Sequence, residues 1–137
     1  MKNPVIRQAV GILAGLVVMA VVVALAEGAG HALFPPPDGL DISKPEDQAR
    51  LMDVIPLGAK IGVVLAWFLG ALAGASVAMT IARTPLAGWA IGLVMGALSL
   101  FTTQLFPHPL WMMIAAVVLP LVAVLLAKML VAGRLTA

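Results

Sequence analysis

Four long apolar stretches, separated by short polar segments, dominate the pattern of this chain. They cover about residues 5–33, 54–82, 86–106 and 110–131. At 1.5 Å of rise per helical residue, each stretch is long enough to cross the roughly 30 Å hydrocarbon layer of a bilayer. The pattern therefore predicts one domain, residues 1–137, folded as an all-α antiparallel bundle of four transmembrane helices.

Prolines mark the boundaries between these stretches. The triple proline at 35–37 ends the first helix, since proline has no amide donor and pushes the preceding residue out of the helical region. The segments 83–85 and 106–109 are short and also contain proline, which is typical of tight turns. Short turns of this kind favour antiparallel neighbours.

The first connection, about residues 34–53, is longer, and the sequence predicts a short helix within it. Residues 43–46 read Ser-Lys-Pro-Glu, which is typical of a helix start, with proline in the first helical position and acids in the first turn. We expect a short amphipathic surface helix over residues 45–52.

The distribution of charge predicts which side each connection faces. Lys2 and Arg7 lie at the N-terminus, Arg83 lies in the second connection, and Lys128 and Arg134 lie at the C-terminal end. Basic residues concentrate in cytoplasmic segments, so both termini are expected in the cytoplasm. All the acids lie in or beside the first connection, which is expected to face outward: Glu27, Asp38, Asp41, Glu46, Asp47 and Asp53.

Composition supports a multi-pass membrane protein, which we expect in a bacterial inner membrane. Hydrophobic residues make up 63% of the chain and charged residues 10%, and the mean hydropathy is +1.14. Lys2 and Arg7 precede an apolar run as in a signal peptide, but the run is long enough to span a bilayer and is expected to be retained. The basic residues form no cluster, which argues against nucleic-acid binding. The chain has no cysteine, so thiol chemistry is excluded.

Small residues at four-residue spacing predict close helix packing. Steps of four place them on one helix face, where another backbone can approach. The stripe either joins helices within one chain or forms a homo-oligomer interface. Its members in the second and third apolar stretches are Gly58, Gly62, Ala66, Gly70, Gly74, Ala78, Ala82, Gly88, Gly92 and Gly96.

Ionisable side chains near the outward end of the bundle form a candidate polar cluster. Glu27 and His31 are four residues apart on one helix face, and Lys60 is expected at a similar depth. The other candidates are Asp53, Gln104 and His108. Three interpretations stay open: a structural Glu27–Lys60 ion pair with both histidines at the wet interface, a pocket for a proton, an ion or a polar head group, and a metal site of Glu27, His31 and His108.

Polar and aromatic residues inside the apolar stretches carry smaller expectations. Trp67 is interpreted as a packing or lipid-facing residue, and Pro120 predicts a kink in the fourth helix. Ser99, Thr102 and Thr103 near the end of the third apolar stretch either line a small vestibule or satisfy backbone carbonyls.

These features lead to three functional hypotheses. The first is a non-enzymatic accessory or scaffold protein, with membrane lipids, a second copy or another membrane protein as partner and no cofactor. The second is a small oligomeric transporter or channel that uses Glu27, Lys60 and His31. The third is an enzyme at the outer leaflet, for which the sequence shows no nucleophile arrangement and no phosphate-binding loop.

Overall fold

Helices account for all the regular secondary structure in this computed structural model, which describes residues 3–35, 37–41 and 43–135. Within those residues, α1, α3, α4 and α5 are long and apolar enough to cross a membrane, which confirms the prediction of four such helices. The elements are α1 (Pro4–Leu33), α2 (Pro45–Val54), α3 (Leu57–Ala82), α4 (Pro85–Leu105), α5 (Leu110–Leu130) and α6 (Ala132–Leu135).

Helix α2 begins where the sequence predicts, with Lys44 at the N-cap and Pro45 in the first helical position. It extends to Val54, two residues beyond the expected end, and α3 starts only at Leu57 with Pro56 as its N-cap. The second apolar stretch of the pattern, 54–82, is therefore shortened at its start. Asp53, one of the candidates of the polar cluster, consequently lies near the end of α2 and not at the head of α3.

Asp41 organises the start of the surface segment before α2. Its Oδ1 accepts hydrogen bonds from the Ser43 backbone N–H at 3.0 Å and the Ser43 hydroxyl at 2.6 Å. These hydrogen bonds, the side-chain bond first, lower the pKa of the Asp41 carboxyl from its ordinary value. The Asp41 N–H in turn donates to Asp47 Oδ2 at 3.0 Å, so the segment is tied to the first turn of α2.

The helix α3 is central to the bundle. It packs against α1, α4 and α5, and α4 also packs against α1 and α5. Fully buried side chains such as Met79, Ile91 and Val124 fill the space between α3, α4 and α5. Helix α1 is the most peripheral of the four long helices, since only Gly11, Gly15 and Met19 of its residues are buried.

Glycines let the backbones of α1 and α3 come into direct contact. A Cβ added to Gly15 would lie 2.7 Å from the Gly74 carbonyl oxygen, and a Cβ on Gly74 would lie 2.7 Å from the Gly15 carbonyl oxygen. A Cβ on Gly11 would lie 2.8 Å from the Ala78 carbonyl oxygen, and one on Gly70 would meet Val23. This part of the small-residue stripe therefore packs α1 against α3 within one chain.

The other glycines of the predicted stripe differ from one another. Gly58 lies against the Phe34 ring, Gly88 against Met79, and Gly92 against Val124. By contrast, a Cβ at Gly62 or Gly96 would meet nothing within 4 Å. These two glycines thus provide matched control positions for the tightly packed ones.

The outward face of α1 is apolar and open. Leu13 and Val17 are each 63% exposed, and Leu25 is 69% exposed. A continuous apolar surface of this kind would be unfavourable in water but matches hydrocarbon. The face is therefore expected to contact lipid.

Arg7 caps the end of α3. Its Nε donates a hydrogen bond to the Ala82 carbonyl oxygen at 3.2 Å, and Ala82 is the last residue of α3. The last carbonyls of a helix have no partner within the helix and carry the negative end of its dipole. Arg7 thus ties the start of α1 to the end of α3.

Replacing this cap is expected to weaken the fold. Arg7→Gln removes the charge, and we expect it to lower the free energy of unfolding by about 1 kcal/mol, measured by thermal unfolding in detergent. The matched control is Arg50→Gln, at an exposed position of α2. Equal stability of the Arg7→Gln and Arg50→Gln proteins would show that the cap contributes nothing.

Candidate binding groove between α1 and α4

A groove of about 310 Å³ opens between α1 and α4, with Trp67 of α3 between them. Its size is at the lower end of the roughly 300–1,000 Å³ typical of small-molecule sites. Its lining is apolar except for two side chains, Glu27 and Thr102. The apolar residues are Met19, Ala20, Val23, Ala24, Trp67, Met95 and Leu98.

The groove begins beside a close contact between α1 and α4. Ile91 of α4 fills the corner beside Gly15 and Gly74, where a Cβ on Gly15 would lie 3.0 Å from Ile91 Cδ1. Further along α1, the small residues Ala20 and Ala24 leave the space open. One end of the groove is thus closed by packed helices, and the other lies near Glu27.

Glu27 is half-buried and lacks an ion pair to Lys60. Within the described ranges, the ion pair that forms is a surface one, Lys44 Nζ to Asp41 Oδ2 at 4.0 Å. The register between α1 and α3 explains this. Val23 of α1 lies beside Gly70 of α3, and Phe34 lies beside Gly58. Between these two contacts, the level of Glu27 on α1 corresponds to Ala66 on α3. Lys60 is therefore more than a helical turn away from Glu27, toward the C-terminal end of α1.

Thr102 is the second polar side chain of the groove. Its hydroxyl donates to the Leu98 carbonyl oxygen of its own helix at 3.0 Å. Thr103 and Ser99, which are buried, likewise donate to backbone carbonyls. This polar group of α4 therefore satisfies backbone acceptors, as one of our two interpretations has it, and Thr102 presents only its lone pairs to the groove.

The remaining candidates of the polar cluster lie apart from the groove lining. His31 is exposed on α1, Asp53 is exposed on α2, and Gln104 is exposed on α4, where its amide donates to Thr103 Oγ1 at 3.3 Å. Across residues 3–35, 37–41 and 43–135, no three carboxylate or imidazole side chains lie close enough to share a metal ion. The alternative of a Glu27, His31 and His108 metal site therefore has no geometric support.

His108 is buried, which corrects the expectation of a histidine at the wet interface. It is only 9% exposed, and its Nδ1 lies 2.8 Å from the Phe106 carbonyl oxygen, which makes Nδ1 the donor. Its ring centroid lies 6.4 Å from that of Trp67 and 6.2 Å from that of Phe106. The turn between α4 and α5 thus folds onto Trp67, the aromatic residue of the groove.

Sequence reasoning identified Glu27 but missed the residues that accompany it. Trp67 was interpreted as a packing or lipid-facing residue, and Thr102 was not connected with Glu27. The sequence holds only a partial signal: Gly11, Gly15, Met19, Val23 and Glu27 follow one another at steps of four. Each step of four turns the side chain by about 40° around the helix axis, so neighbouring members such as Val23 and Glu27 are close in direction, but the buried glycines do not by themselves fix where Glu27 points.

A second, smaller cavity of about 180 Å³ lies between α3 and α6, beside Val131 and Arg134. Its hydroxyl groups, on Ser76 and Thr80, donate to the carbonyl oxygens of Leu72 and Ser76, each at 2.7 Å. These bonds lie within α3 itself. The cavity therefore offers little beyond an exposed guanidinium, and the groove is the stronger candidate site.

The fold and the groove define the class of the protein: a helical multi-pass membrane protein with an open, mostly apolar cleft. No protein-family model, curated protein or solved structure matches the chain.

Proposed function

We propose that this chain is a non-enzymatic accessory protein of a bacterial inner membrane that binds an amphiphilic membrane molecule in the groove between α1 and α4. Its four long helices are antiparallel, both termini are cytoplasmic, and the loop with α2 faces outward. The observation that carries the proposal is the position of Glu27, a carboxylate without an ion-pair partner among the described residues, at one end of a mostly apolar groove.

The size of the groove favours a lipid-like molecule over a partner helix. An α-helix with its side chains is about 10–12 Å across, so a single 5.4 Å turn occupies roughly 400–600 Å³, which is more than the whole cleft of about 310 Å³. A hydrocarbon chain is narrow and flexible enough to enter. Moreover, the face of α1 beside the groove is exposed and apolar, so molecules of the bilayer have direct access to it.

The same geometry supports neither of the two other functional hypotheses. The groove gives a single copy of the chain no path across the membrane, because backbone contact between Gly15 and Gly74 closes it at one end, so the oligomeric transporter or channel would depend on a pathway between copies. A catalytic site needs a nucleophile or an acid–base pair, and the polar lining of the groove consists of Glu27 and a threonine that already donates to its own helix. A binding role needs only what the groove contains.

Quenching of Trp67 fluorescence tests whether acyl chains enter the groove. In a variant with Trp89→Phe and Trp111→Phe, Trp67 is the sole tryptophan, and it is 2% exposed. We expect lipids with brominated acyl chains to quench it in nanodiscs despite this burial. Ala24→Leu should fill the groove and reduce quenching, whereas Ala9→Leu, at an exposed position of α1 outside the groove, should not. An unquenched Trp67 would contradict the proposed function.

Cysteine labelling tests the proposed orientation, since the chain has no cysteine of its own. Asp38→Cys places a thiol in the exposed loop before α2, and Ala132→Cys places one in α6. We expect a membrane-impermeant maleimide to label position 38 in intact spheroplasts and position 132 only after permeabilisation. The reverse pattern would overturn the orientation, and labelling of both positions in intact spheroplasts would overturn the cytoplasmic placement of the C-terminal end.

A further inference from the structure

From the polar atoms of the groove, we infer that its occupant is a lipid with a protonated primary amine in its head group, bound by Glu27 and Thr102. The inference rests on the proposed function, because it names the chemistry of the molecule that the groove takes. It depends on the hydrogen-bonding capacity of two side chains, on their depth along the helices and on the absence of a cationic partner for Glu27 among the described residues.

Both polar side chains of the groove are hydrogen-bond acceptors. An ionised carboxylate accepts only, and Glu27 makes no hydrogen bond or ion pair to any residue of the described ranges. The proton of the Thr102 hydroxyl is taken by the Leu98 carbonyl oxygen at 3.0 Å, which leaves its lone pairs. The complementary ligand group is therefore a donor with positive charge.

A primary ammonium matches this pair of acceptors better than other common head groups. It has three N–H donors and one positive charge, so it can bond the Glu27 carboxylate and Thr102 Oγ1 together. A quaternary ammonium has the charge but no donor. An anionic head group without an amine would place like charge beside Glu27, and a charge at membrane depth requires a partner of opposite sign.

The depth of the two acceptors agrees with a lipid in its normal orientation. Glu27 lies six residues before the end of α1, and Thr102 lies three residues before the end of α4. At 1.5 Å per residue these positions are about 9 Å and about 4.5 Å from the helix ends, which is near head-group depth. Met19 and Met95 lie deeper along the same groove, where an acyl chain would lie.

The test compares head groups in the Trp67-only protein described above. Brominated lipids with the same acyl chains and an ethanolamine, a choline or a glycerol head group are added at low mole fraction to nanodiscs of unbrominated choline lipid. A charge-assisted hydrogen bond contributes most when it is buried, and Glu27 is only half-buried. We therefore expect the ethanolamine lipid to reach half-maximal quenching at roughly a five-fold lower mole fraction than the other two.

Matched variants assign any preference to the two acceptors. Glu27→Gln keeps the shape of the side chain but removes its charge, and it should abolish the preference for the ethanolamine lipid. Thr102→Val should reduce it by about two-fold, consistent with loss of a neutral acceptor. Glu46→Gln, an exposed carboxylate of α2, should leave it unchanged. Thermal unfolding of each variant checks that the bundle is intact.

The outcomes separate the inference from the proposed function. Equal quenching by the three lipids, or a preference that persists in Glu27→Gln, would overturn the inference while leaving acyl-chain binding in place. Failure of every brominated lipid to quench Trp67 would overturn the proposed function and the inference with it. Preferential quenching by the glycerol lipid would show that the head-group site is cationic, which also contradicts the inference.

Discussion

Gly74→Ala should destabilise the bundle strongly, whereas Gly62→Ala should leave it unchanged or slightly more stable. The new Cβ at position 74 would lie 2.7 Å from the Gly15 carbonyl oxygen and 2.8 Å from Met19 Cβ. A carbonyl oxygen cannot rotate away as a side-chain tip can, so α1 must move off α3. Overpacking of this kind costs about 1–3 kcal/mol, and we expect a loss in that range.

The control at Gly62 separates packing from helix propensity. Both glycines belong to the same small-residue stripe of α3, and both become alanine, so the intrinsic gain in helix propensity is the same. Only the space around the Cβ differs, because nothing lies within 4 Å of it at position 62. Thermal unfolding of the two variants in the same detergent gives the comparison, and similar midpoints would refute backbone contact between α1 and α3.

The facing pair of glycines makes a stricter test possible. Gly15→Ala should cost about as much as Gly74→Ala, since each new Cβ meets the carbonyl oxygen of the other glycine. Once one substitution has separated the helices, the second should cost less. The double variant should therefore lose about 1 kcal/mol less free energy of unfolding than the two single variants lose together. Additive losses would show that the two sites are independent.

The sequence predicted those parts of the fold that depend on a single local property of the chain. The length of an apolar stretch sets whether a helix can span a bilayer, and proline sets where a helix ends, so α1, α4 and α5 begin and end within about a residue of expectation. The start of α3 was missed by three residues because Pro56 interrupts an apolar run. Hydropathy alone does not register such an interruption.

The candidate site was less predictable, since it depends on the register between helices. A pairing of Glu27 with Lys60 requires both residues at the same level, but the glycine contacts of α1 with α3 fix a register that separates them by more than a turn. His108 was expected at the wet interface because it lies in a turn, yet the turn folds onto Trp67. Neither arrangement is encoded in a local pattern.

The same glycine contacts connect the fold with the proposed function. They hold α1 close to α3 at one end and thereby fix the direction of its Glu27 face, while the small residues Ala20 and Ala24 keep the space toward α4 open. A bulkier stripe would let α1 move away from Trp67 and widen the groove. Close packing at Gly15 is therefore expected to affect lipid binding as well as stability.

Ser99→Ala should be costly only as long as residue 120 is proline. Proline has no N–H, so Pro120 in the middle of α5 leaves the carbonyl of Ala116, four residues earlier, without its helical donor. The buried Ser99 hydroxyl of α4 lies 2.8 Å from that carbonyl oxygen and can donate to it, in competition with the Met95 and Gly96 carbonyl oxygens of its own helix at 2.8 Å and 3.1 Å. Leaving a buried carbonyl without a donor costs about 1–3 kcal/mol, and lipid offers no water as a substitute.

A double-mutant cycle tests this coupling between α4 and α5. In Pro120→Ala, the new amide can donate to the Ala116 carbonyl, so Ser99→Ala should cost at least about 1 kcal/mol less than in the Pro120 protein. Ser76→Ala is the matched control, because the Ser76 hydroxyl donates within α3 to the Leu72 carbonyl at 2.7 Å, which has its own helical donor. Its small cost should be the same in both backgrounds. If Ser99→Ala costs equally with and without Pro120, Ser99 acts through packing alone, and the orphaned carbonyl is satisfied by another group.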